Sequence, residues 1–476
     1  MKCSALLYYT GHLNTSKYIT YKMFSAVGIR RQGTLSAPSA VSSDKGDHFH
    51  QDMEVGTSTS TPPASHTPLI KLNKVAVVGK MTRYEFEKQR YDGFSENEFK
   101  KALTVKGSRY ETLLAQHEKH MINLGKILDV LKRKGIEYRV CTRGEATYSK
   151  DTVDWADAVI TAGGDGTFLS AASKIKNREK PLIGINTDPE RSEGHLCLPP
   201  KYNSNFEEAL DKLADSKFQW LYRQRIRITM TGSKANFKPL DNGSMLQERM
   251  RDHSNHHSST YFSVLDSDDD SFLMQRNANP LEEGVSHKLQ SYCDVLPVLA
   301  LNEVFIGESL ASVPSYYELQ VDNDPSEKHK SSGLCISTGT GSTAWSYNIC
   351  RLHTKTVKSV LEIVKRLLAN NNDTTKYDAL SDDEVLKEVT ERHGDTFIFD
   401  AAERKLLCSI RDPMQNKVYH CNTPHRFAEK LFIRSRCWDA TLCVDGDTSF
   451  VFNDGATAAL QVLPEDALKT VVLDED

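Results

Sequence analysis

No run of 18 uncharged apolar residues occurs in the 476-residue sequence, so no segment reads as a membrane-crossing helix. The ten cysteines include no CxxC pair and no zinc-like spacing. Cys437 and Cys443 come nearest, with five residues between them in a stretch that reads as strand. Neither a disulfide framework nor a structural zinc site is therefore expected, and free thiols of a reducing compartment are. A surplus of one charge is also lacking. The formal net charge of -4 gives no reason to propose nucleic acid or a membrane surface as a partner. No internal repeat is visible.

One absence is local. The first 43 residues contain no Asp or Glu, while Lys2, Lys17, Lys22, Arg30 and Arg31 are spread among serines, threonines and short apolar groups. Import into mitochondria selects such a basic, acid-free leader, so residues 1–45 read as a transit peptide and the mitochondrial matrix as the destination. A secretory signal would need a longer apolar core, which Lys17 and Lys22 interrupt. From about residue 34 to 69 the chain is rich in Ser, Thr, Pro and His, including TSTSTPPASHTP. Too little apolar surface is present there to offset chain entropy, and 46–69 is expected to be a disordered linker.

What remains is long enough for two domains. Order begins at LNKVAVVGK, where Val75, Ala76, Val77 and Val78 form the apolar run of a buried parallel strand. Met121, Leu124, Leu128 and Leu131 place a helix over 109–134, with Gly135 where a C-terminal cap belongs. IEYRVC, DAVITAGGDG and PLIGINT read as further strands, and TFLSAASKI as a helix. Strands alternating with helices imply a parallel sheet with packed helices over 70–215. Residues 216–476 read as a mainly β domain with a helical insertion. Strand-like segments occur at VLPVLALNEVFIG, YYELQVD, SGLCIST, KLFIRSRCW, ATLCVDG and TSFVFNDG. Two helices are expected after SGLCIST, the second opening at Ser381 with Glu384 at capping-box spacing. Between them, 231–290 is polar and expected to be a disordered insertion. Its His253, His256, His257 and DSDDD run at 266–270 could be drawn as a metal site, but a solvated loop is the better reading, because ligands need a rigid second shell.

The sharpest local feature is Gly163-Gly164-Asp165-Gly166-Thr167, between an apolar strand and a helix. Glycines there let backbone approach an anion, and the helix start offers unpaired N–H groups. An acid inside such a loop is unfavourable unless it takes a proton from a hydroxyl or positions Mg²⁺. A tight turn with a solvent-facing Asp explains the same five residues equally well. The loop lacks a Gly-Lys-Ser/Thr ending and GxGxxG spacing.

GGDGT after a strand resembles the superfamily of NAD kinases, diacylglycerol-type lipid kinases and phosphofructokinases. Two further segments resemble NAD kinases in particular: Asn302-Glu303 in LALNEVFIG, and Ser337 to Trp345, STGTGSTAW, which is similar to that family's STPTGSTAY. In the lipid kinases a similar Asn-Glu pair follows the glycine loop closely. Gly339 replaces a usual Pro, Trp345 a usual Tyr and Ser332 a common Asp, and NxGxxGFL becomes Asn186 through Leu196. With TRYEFEKQRY, WLYRQRIR, RSRCWDA and FNDGA, these variants look like the mitochondrial branch of the NAD kinase family. The resemblance implies an enzyme dependent on ATP and Mg²⁺ that phosphorylates the adenosine ribose 2′-hydroxyl of NAD, giving NADP, with no resident metal site. It implies Asp165 as base and phosphate held by Gly163, Gly164, Gly166 and Thr167. NAD would be held by Asn186, Asn302 and Glu303, in a pocket shaped by Thr340, Gly341, Ser342, Thr343, Ala344 and Trp345. Asp445-Gly446 matches a late structural turn. A homodimer is implied, and inorganic polyphosphate offers the same phosphoryl group as ATP. The competing readings are a diacylglycerol-type lipid kinase and a non-catalytic dinucleotide-binding module.

Overall fold

A computed structural model describes residues 69–143, 147–232, 239–241, 292–369 and 382–473. The expected transit peptide, the linker up to residue 68, Ser381 and the histidine and aspartate run of the insertion lie outside them. The described residues belong to one compact unit.

The first layer opens with β1 (Lys74–Gly79), β2 (Glu137–Thr142), β3 (Ala158–Ala162) and β4 (Leu182–Ile185), mutually parallel in the order β2-β1-β3-β4. The apolar runs of β1, β3 and β4 are buried on both faces, whereas the edge strand β2 is largely exposed. Val75 and Val77 pack with Leu124, Ile127, Leu131 and Leu210 on one side, whereas Ala76 and Val78 pack with Val153, Phe168 and Ala171 on the other. The helices supplying those faces are α3 (Tyr110–Arg133), α4 (Lys150–Trp155), α5 (Asp165–Lys174) and α7 (Phe206–Ala214). Ahead of α3 come α1 (Arg83–Arg90) and α2 (Glu96–Val105), and a short α6 (Lys201–Ser204) precedes α7. Both α1 and α2 start in complete capping boxes, Thr82 with Glu85 and Ser95 with Glu98. These two helices were not anticipated from the sequence, although T-x-x-E and S-x-x-E are start signals.

Two expectations need correction. Met121 is 45% exposed, and the buried stripe of α3 is His120, Leu124, Ile127, Val130 and Leu131. A one-residue offset turns a helix by about 100°, and His120 goes inward because its Nδ1 meets the Thr187 hydroxyl at 3.1 Å. The helix after the second strand group is capped by Asp382, whose carboxylate accepts from the Glu384 N–H at 2.9 Å, and not by Ser381.

The second layer begins with β5 (Gln219–Arg223), which in fact joins the first sheet, and continues through two antiparallel sheets. Its strands are β6 (Ile226–Gly232), β7 (Leu240–Asp241), β8 (Tyr292–Val295), β9 (Glu303–Glu308), β10 (Ser315–Val321), β11 (Glu327–Ser331) and β12 (Leu334–Ser337). After a helical stretch come β13 (Leu406–Ile410), β14 (His425–Ala428), β15 (Lys430–Ser435), β16 (Ala440–Val444), β17 (Thr448–Val451) and β18 (Thr457–Val462). The sheets run β11-β10-β15-β18-β6-β8 and β14-β13-β12-β9-β16-β17-β7. Strands such as β10 and β15 alternate buried with less buried residues, as sheets facing one core must. That core joins Ile228, Tyr317, Leu431 and Leu460 from one sheet to Ile306, Ile336, Leu442 and Phe450 from the other. The stretch between β12 and β13 holds α8 (Trp345–Cys350), α9 (Thr354–Ala369) and α10 (Asp383–Asp395).

The chain then returns. β19 (Leu468–Val472) lies between β4 and β5, antiparallel to β5 and parallel to β4 through the single pair Thr470–Leu182. The first sheet therefore draws two of its six strands from beyond residue 215, and the α/β layer is not confined to 70–215.

Candidate functional site

The strand order places β1 between β2 and β3, so chain direction reverses its progress across the sheet there. In open α/β sheets the crevice outside the carboxyl ends of strands at such a point is where ligands bind. Gly163 and Gly164 leave β3 at this place, and Asp165 is the first residue of α5. Side chains are excluded sterically. A Cβ on Gly163 would collide with the Thr167 hydroxyl, and one on Gly164 would lie 2.5 Å from Ser192 Oγ. Thr167 is buried beneath the turn, whereas Gly166 is exposed. The Asp165 carboxylate is held by two backbone donors, Leu196 N–H at 2.8 Å and His195 N–H at 3.2 Å. It is only partly buried, so it is oriented while still open to a ligand.

Asn186 is buried, and its amide is engaged by backbone. Its Nδ2 donates to Ser192 O at 2.8 Å and its Oδ1 accepts from the Asp188 N–H at 3.0 Å. Gly194, at φ +71°, packs so closely that a Cβ there would lie 2.6 Å from Asn186 Nδ2. The amide thus clamps the 187–194 loop, and that loop reaches Gly164 through Ser192.

The second half of the site is built around Asn302 and Glu303 at the start of β9. Both are buried, yet among the described residues Asn302 Oδ1 and Glu303 Oε2 have no hydrogen-bond partner. Buried acceptors of this kind call for a ligand or water. Their backbone is fixed by Asp445, whose carboxylate accepts from the N–H groups of Leu301 and Asn302, each at 2.8 Å, and of Glu303 at 3.1 Å. Asp445 (φ 49°) and Gly446 (φ 69°) make the turn from β16 to β17, with positive φ at both central residues as a tight hairpin requires. Burial lifts the Asp445 carboxyl to about 6 in spite of its three N–H donors. Burial, and then the Asp445 charge, lifts Glu303 to about 8.

Residues 337–345 close over this pair. Thr338 donates its hydroxyl to Leu301 O at 2.5 Å and its N–H to Asn302 O at 2.9 Å. Gly341 lies so close that any Cβ would overlap Asn302 O. The Ser342 hydroxyl donates to Gly339 O at 2.7 Å, and the Thr343 hydroxyl to Thr340 O at 3.3 Å. Ala344 N–H bonds to Gly341 O. These contacts give Ser342 and Thr343 the role of shaping the turn. Trp345 is 42% exposed and packs 4.9 Å from Phe305, two residues along β9 from Glu303 and therefore on the same face. Gly339 is explained too. Its Cβ would overlap Asp400 O, so a Pro ring has no room.

Arg223 links the halves, and the sequence reading missed it. Its Nη1 lies 3.4 Å from the Thr340 hydroxyl, its buried Nε has no partner among the described residues, and the Asp165 and Asp400 charges act on it. Desolvation depresses its pKa. It borders a cavity of about 340 Å³ lined also by Gly194 to Leu198 and by Thr470 to Leu473. The only trace in the sequence is a cluster of arginines in WLYRQRIR, which does not say which one faces a ligand.

The model of the ATP-NAD kinase N-terminal domain matches residues 93–218. The chain is 46% identical over 405 residues to NAD kinase 2, mitochondrial, of Rattus norvegicus, covering 85% of this chain and 88% of that one. The chain belongs to the NAD kinase family. It is similar in the same degree to NAD kinase 2, mitochondrial, of Homo sapiens, at 46% identity with 85% of each chain covered. Among solved structures, an NAD kinase from Archaeoglobus fulgidus in complex with ATP aligns with 85% of this chain and 94% of its own at 15% identity and a TM-score of 0.42. That likeness is too distant to carry an argument.

Proposed function

We infer that this chain is an NAD kinase of mitochondria that transfers the terminal phosphoryl group of ATP to the adenosine ribose 2′-hydroxyl of NAD, giving NADP. The observation that carries the site assignment is the pairing of an oriented, partly open carboxylate at Asp165 with the orphaned buried acceptors of Asn302 and Glu303. In this reading Asp165 takes the proton of the 2′-hydroxyl as its oxygen bonds to the γ-phosphorus, and the bond from phosphorus to the ADP oxygen breaks. The N–H groups of His195 and Leu196 hold the carboxylate, which stays partly open. Asn302 and Glu303 accept from NAD hydroxyl or amide groups, and Trp345 covers them. Asn186 and the 340–344 turn act by holding backbone in place.

Mg²⁺ would arrive with ATP, because this ion usually takes one or two carboxylates and completes its shell with phosphate oxygens and water. The carboxylate that fits such a role is Asp188, which lies 3.8 Å from Lys80 beside the glycine turn. Bound there, the metal would neutralise charge on the phosphates. Location in the matrix, a homodimeric state and the use of inorganic polyphosphate as an alternative donor belong to this proposal on the strength of the family resemblance. The test is direct: the full chain is incubated with NAD, ATP and Mg²⁺, and NADP is measured. Failure to form NADP at any ATP concentration overturns the reading.

A further inference from the structure

Three basic residues lie around the glycine turn. Lys80 directly follows β1, and its Cβ lies 3.0 Å from where a Cβ on Gly163 would sit. Arg143 directly follows β2, and its Nη1 lies 3.1 Å from the corresponding position on Gly166. Arg191 follows in the clamped loop, next to the Ser192 that touches Gly164.

The positive charge is under-compensated. Among the described residues, neither the Arg143 nor the Arg191 guanidinium has an ion pair or hydrogen bond, while Lys80 has only Asp188 at 3.8 Å. Asp188 is shared with Lys119 at 3.6 Å, and Lys119 is already paired with Glu190 at 2.7 Å. Burial first, then repulsion from Arg191 and Lys119, holds Lys80 below its usual pKa against the pull of Asp188. Gly164 supplies no side-chain cap to α5, which leaves N–H groups at the helix start for an anion. The Asp165 carboxylate is engaged by the N–H groups of His195 and Leu196.

We propose that Lys80, Arg143 and Arg191 form the seat of the donor's triphosphate chain, beside the turn that carries Asp165. The assignment rests on the NAD kinase reading and adds to it the residues that select a linear triphosphate. Two guanidiniums suit this task because each can fork onto two phosphate oxygens. Either ATP or inorganic polyphosphate presents the required chain, and the two are tested side by side.

Arg143→Met, Arg191→Met, the double variant and Arg143→Lys are made in the full chain, with melting curves to verify folding. Each single Met variant raises the KM for ATP roughly tenfold, and the double variant more, with the KM for NAD within about twofold. Arg143→Lys recovers part of the loss. Inorganic tripolyphosphate competes with ATP in the wild type and is weakened by the same factor in the variants. Loss of polyphosphate-driven turnover in parallel assigns the seat to the phosphate chain alone; loss with ATP only assigns it to the nucleotide donor. A rise in KM for NAD instead would mean that the cations serve the dinucleotide's pyrophosphate, and unchanged constants would mean a merely solvated surface. Either result overturns the proposal. If the wild type makes no NADP, the kinase reading fails, and calorimetric binding of tripolyphosphate to wild type and variants still decides the seat.

Discussion

Glu303 and Asp445 are two carboxyl groups buried against each other's neighbourhood, with folded-state values near 8 and 6. Folding holds a proton on Glu303 that the unfolded chain has already released above its ordinary value of 4.5. Stability therefore falls as pH rises from about 4.5 to about 8, because the folded state binds more protons in that window. Glu303→Gln removes the penalty. The variant is expected to gain stability over the wild type by on the order of 2–4 kcal/mol between pH 5 and pH 8, read from denaturant unfolding at both pH values. The same variant should bind NAD more weakly by roughly 1 kcal/mol, the worth of one hydrogen bond to a largely protonated carboxyl. A variant with unchanged pH dependence would show that Glu303 ionises freely in the folded chain.

Asp165 is the second case at this scale. Asp165→Asn cannot take the 2′-hydroxyl proton, and kcat should fall by about 10²–10⁴ with NAD affinity within severalfold. Both carboxylate oxygens accept backbone N–H groups, so the amide group of Asn must face one donor with another. A small stability loss of about 1 kcal/mol should accompany the kinetic one. Near-normal turnover would reduce Asp165 to a turn residue.

The segments around the site depend on backbone packed against backbone. A Cβ at Gly341 overlaps Asn302 O, and neither chain is a flexible side-chain end. Gly341→Ala should therefore push β9's entry aside, lowering stability by about 2 kcal/mol or more and raising the KM for NAD in the same variant. An unperturbed KM with lowered stability would place the displacement elsewhere. Much at this scale was legible. The apolar runs at 75–78, 158–162 and 182–185 announced parallel strands because burial on both faces leaves no polar alternation. The α1 and α2 starts were legible and overlooked. The turn of α3 was misread by one residue because a buried histidine carries no hydrophobic signature. The contribution of Asp445 to the Asn302–Glu303 backbone could not be read at all. A turn aspartate looks the same in sequence whether its carboxylate meets water or three N–H groups.

Across the whole molecule, Arg225 is the chief polar tie between layers. It is fully buried, with Nε donating to Asp466 O at 2.6 Å and Nη1 to Ile175 O at 2.6 Å. Ile175 closes the C-terminal end of α5, and Asp165 opens that helix. Arg227 adds a forked pair to the Asp466 carboxylate at 2.6 and 2.7 Å. Arg225→Met fills the volume but leaves buried carbonyls unbonded, so a loss of about 2–4 kcal/mol is expected from chemical unfolding. If α5 loosens, kcat should drop more than either KM rises. Unaltered unfolding would show that water replaces the guanidinium. The overall α/β plus β organisation was legible from the switch between helical and alternating periodicities. The exchange of strands between layers was not, since pairing Thr470 with Leu182 leaves no local pattern in either segment.

That pairing has a consequence for how the protein is made. Residues 74–185 contain four strands of the first sheet, but the strand that bridges them to β5 is not available until residue 472 has been synthesised. On a ribosome, or in a membrane translocation channel, the leading part of the chain waits with the edge of β4 uncovered. Threading through a mitochondrial import pore requires an unfolded chain, and a sheet that cannot be completed early keeps the molecule threadable. The same lag leaves an unpaired parallel edge as the place where a holding chaperone is most needed.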